Sequence, residues 1–275
     1  MITISSVNPQ LAIELREVSF AYGNRLVLTD ISASMGAGEL VALIGPNGSG
    51  KTTLLKILLG FLPPKSGQVS LHDRPLDSYP VKDRAKAIAY VSQQPAPTFP
   101  LTSYQLVSLG RYPHASRFAF SGADAAAVES ALEETDSKHL KERFFGTLSG
   151  GEKQKILIAR ALAQSARVLL LDEPTLHLDL YYQLQILAAL KRLCRQQRIT
   201  VITVLHDVNL VSLFADKALL LCAGALRAFG PVREVLNEPN IKDLLGVEMK
   251  LNEDIETGVR YFIPRDPFNT RRNPN

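Results

Sequence analysis

One stretch, GPNGSGKT from Gly45 to Thr52, constrains the fold of this chain more than any other. It follows an apolar run and precedes a second apolar segment with helical spacing, so we expect a buried strand, a glycine-rich turn and a helix. The stretch fits the phosphate-binding P-loop pattern G-x-x-x-x-G-K-[ST] at every position. It therefore predicts an α/β fold that binds a nucleoside triphosphate.

The residue types in this turn suit polyphosphate binding. Glycines permit backbone angles and close approaches that a Cβ would block. The amides of the turn can then point at a polyphosphate, at the positive end of the helix dipole. Lys51 would reach the β- and γ-phosphates, and Thr52 would be a ligand of the magnesium ion. The predicted nucleotide-binding residues here are Gly45, Pro46, Asn47, Gly48, Ser49, Gly50, Lys51, Thr52 and Thr53.

Composition limits the class of protein. With 275 residues, 46% of them hydrophobic, the chain has ample material for a buried core. No apolar run reaches the roughly 18 residues that a membrane-spanning helix needs. Residues 1–10 lack the features of a signal peptide, so we expect a soluble cytoplasmic protein. The net charge of +4 is mild and does not indicate nucleic acid as a partner. Cys194 and Cys222 are expected to be free thiols.

Hydrophobic patterning predicts an α/β core with two additions. An N-terminal β region precedes the P-loop, and a helical insertion opened by prolines occupies about residues 95–150, including a helix over Ser103–Arg111. A hairpin and short helices follow as far as Leu245, and the tail 246–275 has no assigned role. Besides Leu40–Ile44 before the P-loop, the predicted strands are Leu11–Phe20, Val27–Ser34, Val69–Leu71, Ile88–Val91, Val168–Glu173, Ile199–Leu205, Lys217–Cys222 and Ala225–Phe229.

Charged residues at the ends of two buried strands supply candidates for hydrolysis. Asp172 and Glu173 end one strand, and His206 ends the next one along the chain. Asp172 would hold magnesium beside the P-loop, and Glu173 would polarise the water that attacks the γ-phosphoryl group. A histidine at a strand end is more often structural than catalytic. Its place after two buried strands nevertheless favours a functional His206 that hydrogen-bonds the γ-phosphate and orients the water.

The order of these motifs along the chain is similar to that of a known protein family. The run LSGGEKQ, from Leu148 to Gln154, lies between the P-loop and the strand that ends in Asp172 and Glu173. From about residue 11 to residue 245 the chain resembles the ATP-binding subunits of ABC transporters. The resemblance implies an ABC cassette with a mainly parallel core sheet, an antiparallel β subdomain near the N-terminus and an inserted helical subdomain.

The resemblance also implies roles that the residues alone do not. Tyr22 matches the aromatic residue that stacks on adenine. Gln93 matches the glutamine that helps to hold magnesium and the attacking water. Ser149, Gly150 and Gly151 belong to the signature that closes over the γ-phosphate bound by the opposite protomer, and Asp179 matches the acid that bridges the two protomers.

Two further segments narrow the resemblance. Ala89–Gln94 and Leu106–Pro113 are similar to importers of ferric siderophores, haem and cobalamin. For such an importer we expect an ATPase homodimer on the cytoplasmic side of the inner membrane, two permease subunits and an extracytoplasmic substrate-binding protein. The chain departs from the pattern at Ser92, where proline is usual, and at Leu176-His177-Leu178, where small residues are commoner.

Iron-chelate import is the predicted function, and three alternatives stay open. One is cobalamin import. Another is a soluble ABC ATPase that acts on ribosomes or DNA, although a single cassette with a compact insertion is unusual for that class. The third is a binding module without hydrolysis, against which Glu173 and His206 argue.

The surface that contacts the permease is predicted at Gln93 and Leu101–Arg111. Phe99, Leu101 and Leu106 would be apolar anchors, and Arg111 would offer its guanidinium to the partner. The alternative is that these residues pack the helical subdomain onto the core.

Overall fold

The computed structural model describes residues 11–93, 100–114 and 120–265. Among these, ten strands form one sheet, in the order β5-β4-β1-β2-β10-β9-β3-β8-β7-β6. The strands are β1 (Leu11–Tyr22), β2 (Arg25–Gly36), β3 (Leu40–Ile44), β4 (Ser66–Leu71), β5 (Arg74–Pro75), β6 (Ile88–Val91), β7 (Val168–Leu171), β8 (Thr200–Val204), β9 (Lys217–Cys222) and β10 (Ala225–Pro231).

The sheet has a parallel half and an antiparallel half. β3 pairs in parallel with β8 and β9, and β6, β7 and β8 continue the parallel order. At the other end β1 pairs antiparallel with β2 and β4. The predicted α/β cassette with an N-terminal antiparallel β region is therefore confirmed, and β10 joins the two halves by pairing with both β2 and β9.

Helices cover both faces of the parallel half. The helices among the described residues are α1 (Lys51–Leu58), α2 (Val81–Ala87), α3 (Ser103–Ser108), α4 (Gly122–Glu134), α5 (Gly150–Ala163), α6 (Leu180–Gln197), α7 (Val208–Phe214), α8 (Val232–Val235) and α9 (Glu238–Leu245). Short 3₁₀ turns cover Leu76–Ser78, Leu109–His114, Lys138–Leu140 and Phe145–Thr147. Within 11–93, 100–114 and 120–265, no helix combines the length and the hydropathy needed to cross a bilayer.

Alternation along β3 shows why this strand is central. Leu40, Ala42 and Ile44 belong to one buried cluster, whereas Val41 and Leu43 belong to the other. All five side chains are buried, as expected for a parallel strand covered on both faces. Full burial of one such aliphatic side chain stabilises the fold by about 1.5–3 kcal/mol. The strand therefore holds the start of the P-loop rigidly at its carboxyl end.

The helical subdomain differs in part from what the sequence predicts. The predicted helix over Ser103–Arg111 ends at Ser108 and continues as a 3₁₀ turn. Here the backbone packs closely on α5, since a Cβ on Gly110 would lie 2.1 Å from the Arg160 carbonyl oxygen. Leu106 is 1% exposed, so its predicted role as an anchor for the permease is wrong.

The predicted outward role of Arg111 is also wrong. Its Nε lies 2.8 Å from Asp124 Oδ1, and its Nη1 donates to the Ala163 carbonyl oxygen at 2.7 Å. Hydrogen bonds from the side chain and backbone of Ser121, followed by the one from Arg111, hold the pKa of the Asp124 carboxyl well below its usual range. Leu101 is partly buried against the core. Phe99 lies outside the described residues.

The tail without a predicted role contains a hairpin that packs on the cassette. Its strands are β11 (Met249–Glu253) and β12 (Arg260–Pro264), paired antiparallel. Phe262 of β12 is 2% exposed and belongs to the same buried cluster as β7 and α6. The hairpin is thus part of the fold and lies against α7.

Candidate nucleotide-binding and hydrolysis site

The P-loop owes its shape to close backbone approaches. A Cβ on Gly45 would lie 2.1 Å from the Leu221 carbonyl oxygen, so only glycine fits there. Gly50 has a φ of 104° and precedes α1 without any side-chain cap. The first amides of α1 are therefore left without a side-chain acceptor, as in a helix N-terminus that binds an anion.

Buried polar groups line this turn. Lys51 is only 6% exposed, and its Nζ donates to the carbonyl oxygens of Gly45 at 2.8 Å and Pro46 at 3.0 Å. Burial lowers the pKa of Lys51, although Glu173 and Asp172 oppose that shift. Ser49 Oγ is buried with no hydrogen-bond partner among the described residues. The Lys51 ammonium group and the uncapped first amides of α1 are donors that suit a phosphate group.

Asp172 follows β7 and faces the start of α1. It is 3% exposed, and its backbone N–H donates to the Val91 carbonyl oxygen at 2.9 Å. Burial raises the pKa of Asp172, and hydrogen bonds from the side chains of Thr52 and Tyr90 oppose this shift. The carboxylate and the threonine hydroxyl are oxygen donors of the kind that magnesium prefers.

Both carboxylate oxygens of Glu173 have partners. Gln93 Nε2 donates to Glu173 Oε2 at 2.7 Å, and His206 Nε2 lies 2.8 Å from Glu173 Oε1. Glu173 has a φ of 55°, a left-handed conformation that is uncommon for a residue with a Cβ. The structure thus brings together three residues that the sequence places on separate strand ends.

The signature residues form a second group. Ser149 caps α5 in a reciprocal capping box with Glu152, and Asp179 caps α6 by accepting from the Tyr182 N–H at 3.0 Å. A Cβ on Gly151 would lie 2.3 Å from the Tyr182 ring, and one on Gly150 would lie 3.5 Å from Leu178 Cδ2. The close packing of Gly151 on Tyr182 ties the start of α5 to the start of α6.

The predicted adenine-stacking residue is accessible. Tyr22 is 48% exposed, and its ring contacts Phe20 edge to face with centroids 4.9 Å apart. The hairpin of β1 and β2 lies against the P-loop, because a Cβ on Gly50 would be 3.2 Å from the Val27 carbonyl oxygen.

Sequence reasoning missed Tyr90. Its side chain hydrogen-bonds Asp172, and burial, followed by the charge of Asp172, raises the pKa of Tyr90 to about 12. Tyr90 pairs with Leu170, two residues before Asp172, so the tyrosine and the acid lie on one face of adjacent strands. Only knowledge that β6 neighbours β7 could have revealed this contact.

The fold and the site together define a P-loop nucleoside triphosphatase. The family model described as ABC transporter matches residues 28–176. The iron(3+)-hydroxamate import ATP-binding protein FhuC of Bacillus subtilis is 36% identical over 247 residues, covering 90% of this chain and 92% of the relative. The hemin import ATP-binding protein HmuV of Bradyrhizobium diazoefficiens is 38% identical over 261 residues, covering 92% and 94%.

A solved structure described as a metal-chelate type ABC transporter in an inward-facing conformation is similar too. It has a TM-score of 0.82 and 31% identity, and the match covers 94% of this chain and 98% of that one. The chain belongs to the ABC transporter family. As an ATP-binding subunit of an import system, it hydrolyses ATP.

Proposed function

We propose that this chain couples ATP hydrolysis to the import of an iron chelate, either a ferric siderophore or haem. Support comes from relatives named for iron(3+)-hydroxamate and hemin import, each matched over at least 90% of this chain. The observation that carries the hydrolytic part of the proposal is the contact of Glu173 with both Gln93 and His206 beside the P-loop. That arrangement has the groups needed to activate water next to a phosphate-binding turn.

Magnesium fits the donors that surround Asp172. Thr52, Asp172 and Gln93 would hold the ion, because their oxygen atoms suit a hard cation. Magnesium, when bound, neutralises charge that develops on the β- and γ-phosphates. The hydrogen bond between Thr52 and Asp172 supports this assignment, since it places the two strongest candidate ligands side by side.

The residues of this chain would divide the work of hydrolysis. The P-loop amides and Lys51 hold the β- and γ-phosphates, and Tyr22 stacks on adenine. Glu173 accepts a proton from the water that attacks the γ-phosphorus, and the bond to the departing ADP breaks in line with that attack. His206 forms a hydrogen bond with the γ-phosphate and orients the attacking water. Its present contact with Glu173 already places it within reach of the base.

A second copy of the chain would complete each site. Ser149 caps α5, and Gly150 and Gly151 are its first two residues, so these residues lie at the positive end of the helix dipole, which favours a γ-phosphate. Ser149 and Asp179 are both exposed, as residues that meet a partner copy must be. A bacterial ABC transporter cassette solved as a dimer is 28% identical, with a TM-score of 0.69. We infer a head-to-tail homodimer in which Asp179 bridges the protomers.

The dimer would act at a membrane. We place it on the cytoplasmic face of the inner membrane, bound to two permease subunits, with a substrate-binding protein on the far side. Nucleic acid is not an expected partner. Because Leu106 is buried and Arg111 is paired with Asp124, we propose two other residues as contacts with the permease. These are Leu109 and Tyr112, which follow α3 and are 53% and 82% exposed.

Growth on defined iron sources tests the proposal. A bacterial strain that retains its iron-chelate permeases but lacks their ATPase would receive this chain or its Glu173→Gln variant. We expect the parent chain, but not the variant, to restore growth on a ferric hydroxamate or on hemin as the only iron source. Stimulation of cobalamin uptake without rescue on either iron source would overturn the substrate assignment.

A further inference from the structure

The C-terminal hairpin is joined to α7 by a specific pair of contacts. Phe262 N–H donates to Asn209 Oδ1 at 2.7 Å, and Asn209 Nδ2 donates to the Phe262 carbonyl oxygen at 3.2 Å. Ser212 Oγ donates to the Arg260 carbonyl oxygen at 2.7 Å. Asn209 and Ser212 are three residues apart and so share one face of the helix. We call these four residues the clasp.

The clasp provides hydrogen-bond partners for backbone groups on the edge of β12 that does not pair with β11. Residues 260 and 262 are two apart, so their backbone groups point to the same edge of β12. An unpaired edge would leave N–H and C=O groups without partners. Asparagine suits this position, because its amide both donates and accepts and can therefore satisfy one backbone residue completely.

Further contacts hold the hairpin itself in place. Arg260 Nη1 donates to the Arg233 carbonyl oxygen at 2.7 Å, and Arg233 Nη2 donates to the Gly258 carbonyl oxygen at 2.9 Å. The Leu251 N–H donates to Glu238 Oε1 at 2.8 Å. Since Phe262 is also buried in the core, the hairpin is held firmly and can fix the position of α7.

The first turn of α7 connects the clasp to the hydrolysis site. Asp207 Oδ1 accepts from the Asn209 N–H at 2.7 Å, so Asn209 is held through both its backbone and its side chain. His206 immediately precedes this cap and contacts Glu173 at 2.8 Å. A shift of the start of α7 would therefore move the imidazole relative to the carboxylate.

We propose that Asn209 is a positioning residue that fixes α7 to the C-terminal hairpin and thereby holds His206 against Glu173. The inference rests on the proposed role of His206 in hydrolysis. Asn209 itself touches neither the nucleotide nor the reacting water; it acts through the backbone that carries His206.

The test compares Asn209→Ala with a matched control. Asn240→Ala also removes an asparagine bond to a backbone carbonyl, from Asn240 Nδ2 to Val235 at 2.8 Å, but in α9. We expect Asn209→Ala to lower kcat by about 10-fold, below the roughly 10²-fold that a misplacement of about 1 Å can cost. The KM for ATP should stay near the parental value, since the P-loop is unchanged. Asn240→Ala should keep both constants.

A second readout follows the imidazole without nucleotide. The chain has five histidines, and the ring signal that disappears from the NMR spectrum of His206→Ala identifies His206. In Asn209→Ala the His206 signal should move while the other histidine signals keep their positions. Ser212→Ala, a milder change, should give a smaller shift in the same direction, and Ser212→Thr, which keeps the hydroxyl group, should restore the parental spectrum.

The outcomes separate this proposal from the proposed function. A parental kcat and an unmoved His206 signal in folded Asn209→Ala would overturn the positioning role. An equal loss of kcat in Asn240→Ala would also overturn it, since destabilisation of the C-terminal region would then suffice. If His206→Ala hydrolyses ATP at the parental rate, both the proposed role of His206 and the positioning role of Asn209 are refuted. If His206→Ala loses hydrolysis while Asn209→Ala keeps it, only the positioning role is refuted.

Discussion

Replacing Glu173 by glutamine removes the charge of the carboxylate but keeps the shape of the side chain. Glu173 accepts from Gln93 through Oε2 and contacts His206 through Oε1. In Glu173→Gln the amide oxygen can accept from Gln93, and the amide nitrogen can donate to a ring nitrogen of His206 that carries no proton. Both contacts can therefore persist in the variant as hydrogen bonds to a neutral group, and the negative charge and the basicity are lost.

The expected effects on folding and on turnover are very different in size. Loss of a positioned general base costs about 10²- to 10⁴-fold in rate, which corresponds to about 2.7–5.4 kcal/mol at 1.36 kcal/mol per factor of ten. In the folded state the variant's two hydrogen bonds, to Gln93 and His206, are weaker because residue 173 is no longer charged. It also removes the repulsion that Glu173 exerts on the buried Asp172. We therefore expect a change in stability of about 1 kcal/mol, or roughly 2–4 °C in Tm.

Three measurements on the purified chain check this expectation. Steady-state phosphate release should fall by at least 10²-fold, whereas nucleotide binding measured by fluorescence should stay near the parental affinity. Because ATP is bound but not consumed, size-exclusion chromatography with ATP should show a dimer that the parent populates only transiently. Glu142→Gln, an exposed change in the helical subdomain, serves as the control and should match the parent in all three.

ATPase activity close to that of the parent would refute the assignment of Glu173 as the base. Loss of nucleotide binding together with turnover would instead show that the carboxylate supports the P-loop. In that case the contact with Gln93 and His206 would be structural.

Three further predictions follow from the geometry. Mixed dimers of Ser149→Arg and Lys51→Ala should occlude ATP at one site, because both lesions then fall in one composite site; no occlusion in confirmed mixed dimers contradicts the head-to-tail arrangement. Gly45→Ala should cost about 1–3 kcal/mol of stability, since its Cβ would lie 2.1 Å from Leu221 O, whereas Gly122→Ala, with open space around its Cβ, should not. The lowered pKa of Asp124 means that its ionised form stabilises the fold above the unfolded pKa of about 3.9 and that this contribution is lost as the pH falls. Thermal melts of Asp124→Asn and the parent should therefore differ most near neutral pH and converge in acid.

The local sequence was sufficient to predict the P-loop and the parallel strands. Each depends on residues that are adjacent in the chain, such as the glycines of the turn or the apolar run of β3. The sequence also placed Asp172 at the carboxyl end of its strand, beside the P-loop, as parallel α/β sheets commonly place ligand-binding groups. The hydrogen bond from the Thr52 side chain to Asp172 agrees with that expectation, whereas the contact of Glu173 with Gln93 and His206 was not predicted.

Partners far apart in the chain could not be predicted in this way. Arg111 has a long side chain that can face a partner or turn inward, and nothing local distinguishes the two. Its acid, Asp124, is thirteen residues away on another helix. The clasp joins Asn209 to Phe262 across 53 residues, and the tail that supplies Phe262 has no motif of its own. In both cases tertiary packing, and not pattern, decides the contact.

The proposed permease-contact surface provides a final prediction, because the structure separates the exposed residues near α3 from the buried ones. Tyr112 is 82% exposed on the 3₁₀ turn after α3, whereas Leu101 packs partly against the core. Tyr112→Glu should leave Tm and the ATPase of the isolated chain unchanged but should lower permease-stimulated ATPase and substrate uptake together. Leu101→Glu should instead lower Tm, since a carboxylate there would lose water without gaining a partner. If Leu101→Glu folds normally and uncouples transport while Tyr112→Glu does neither, the contact surface lies at the start of α3 and not beyond its end.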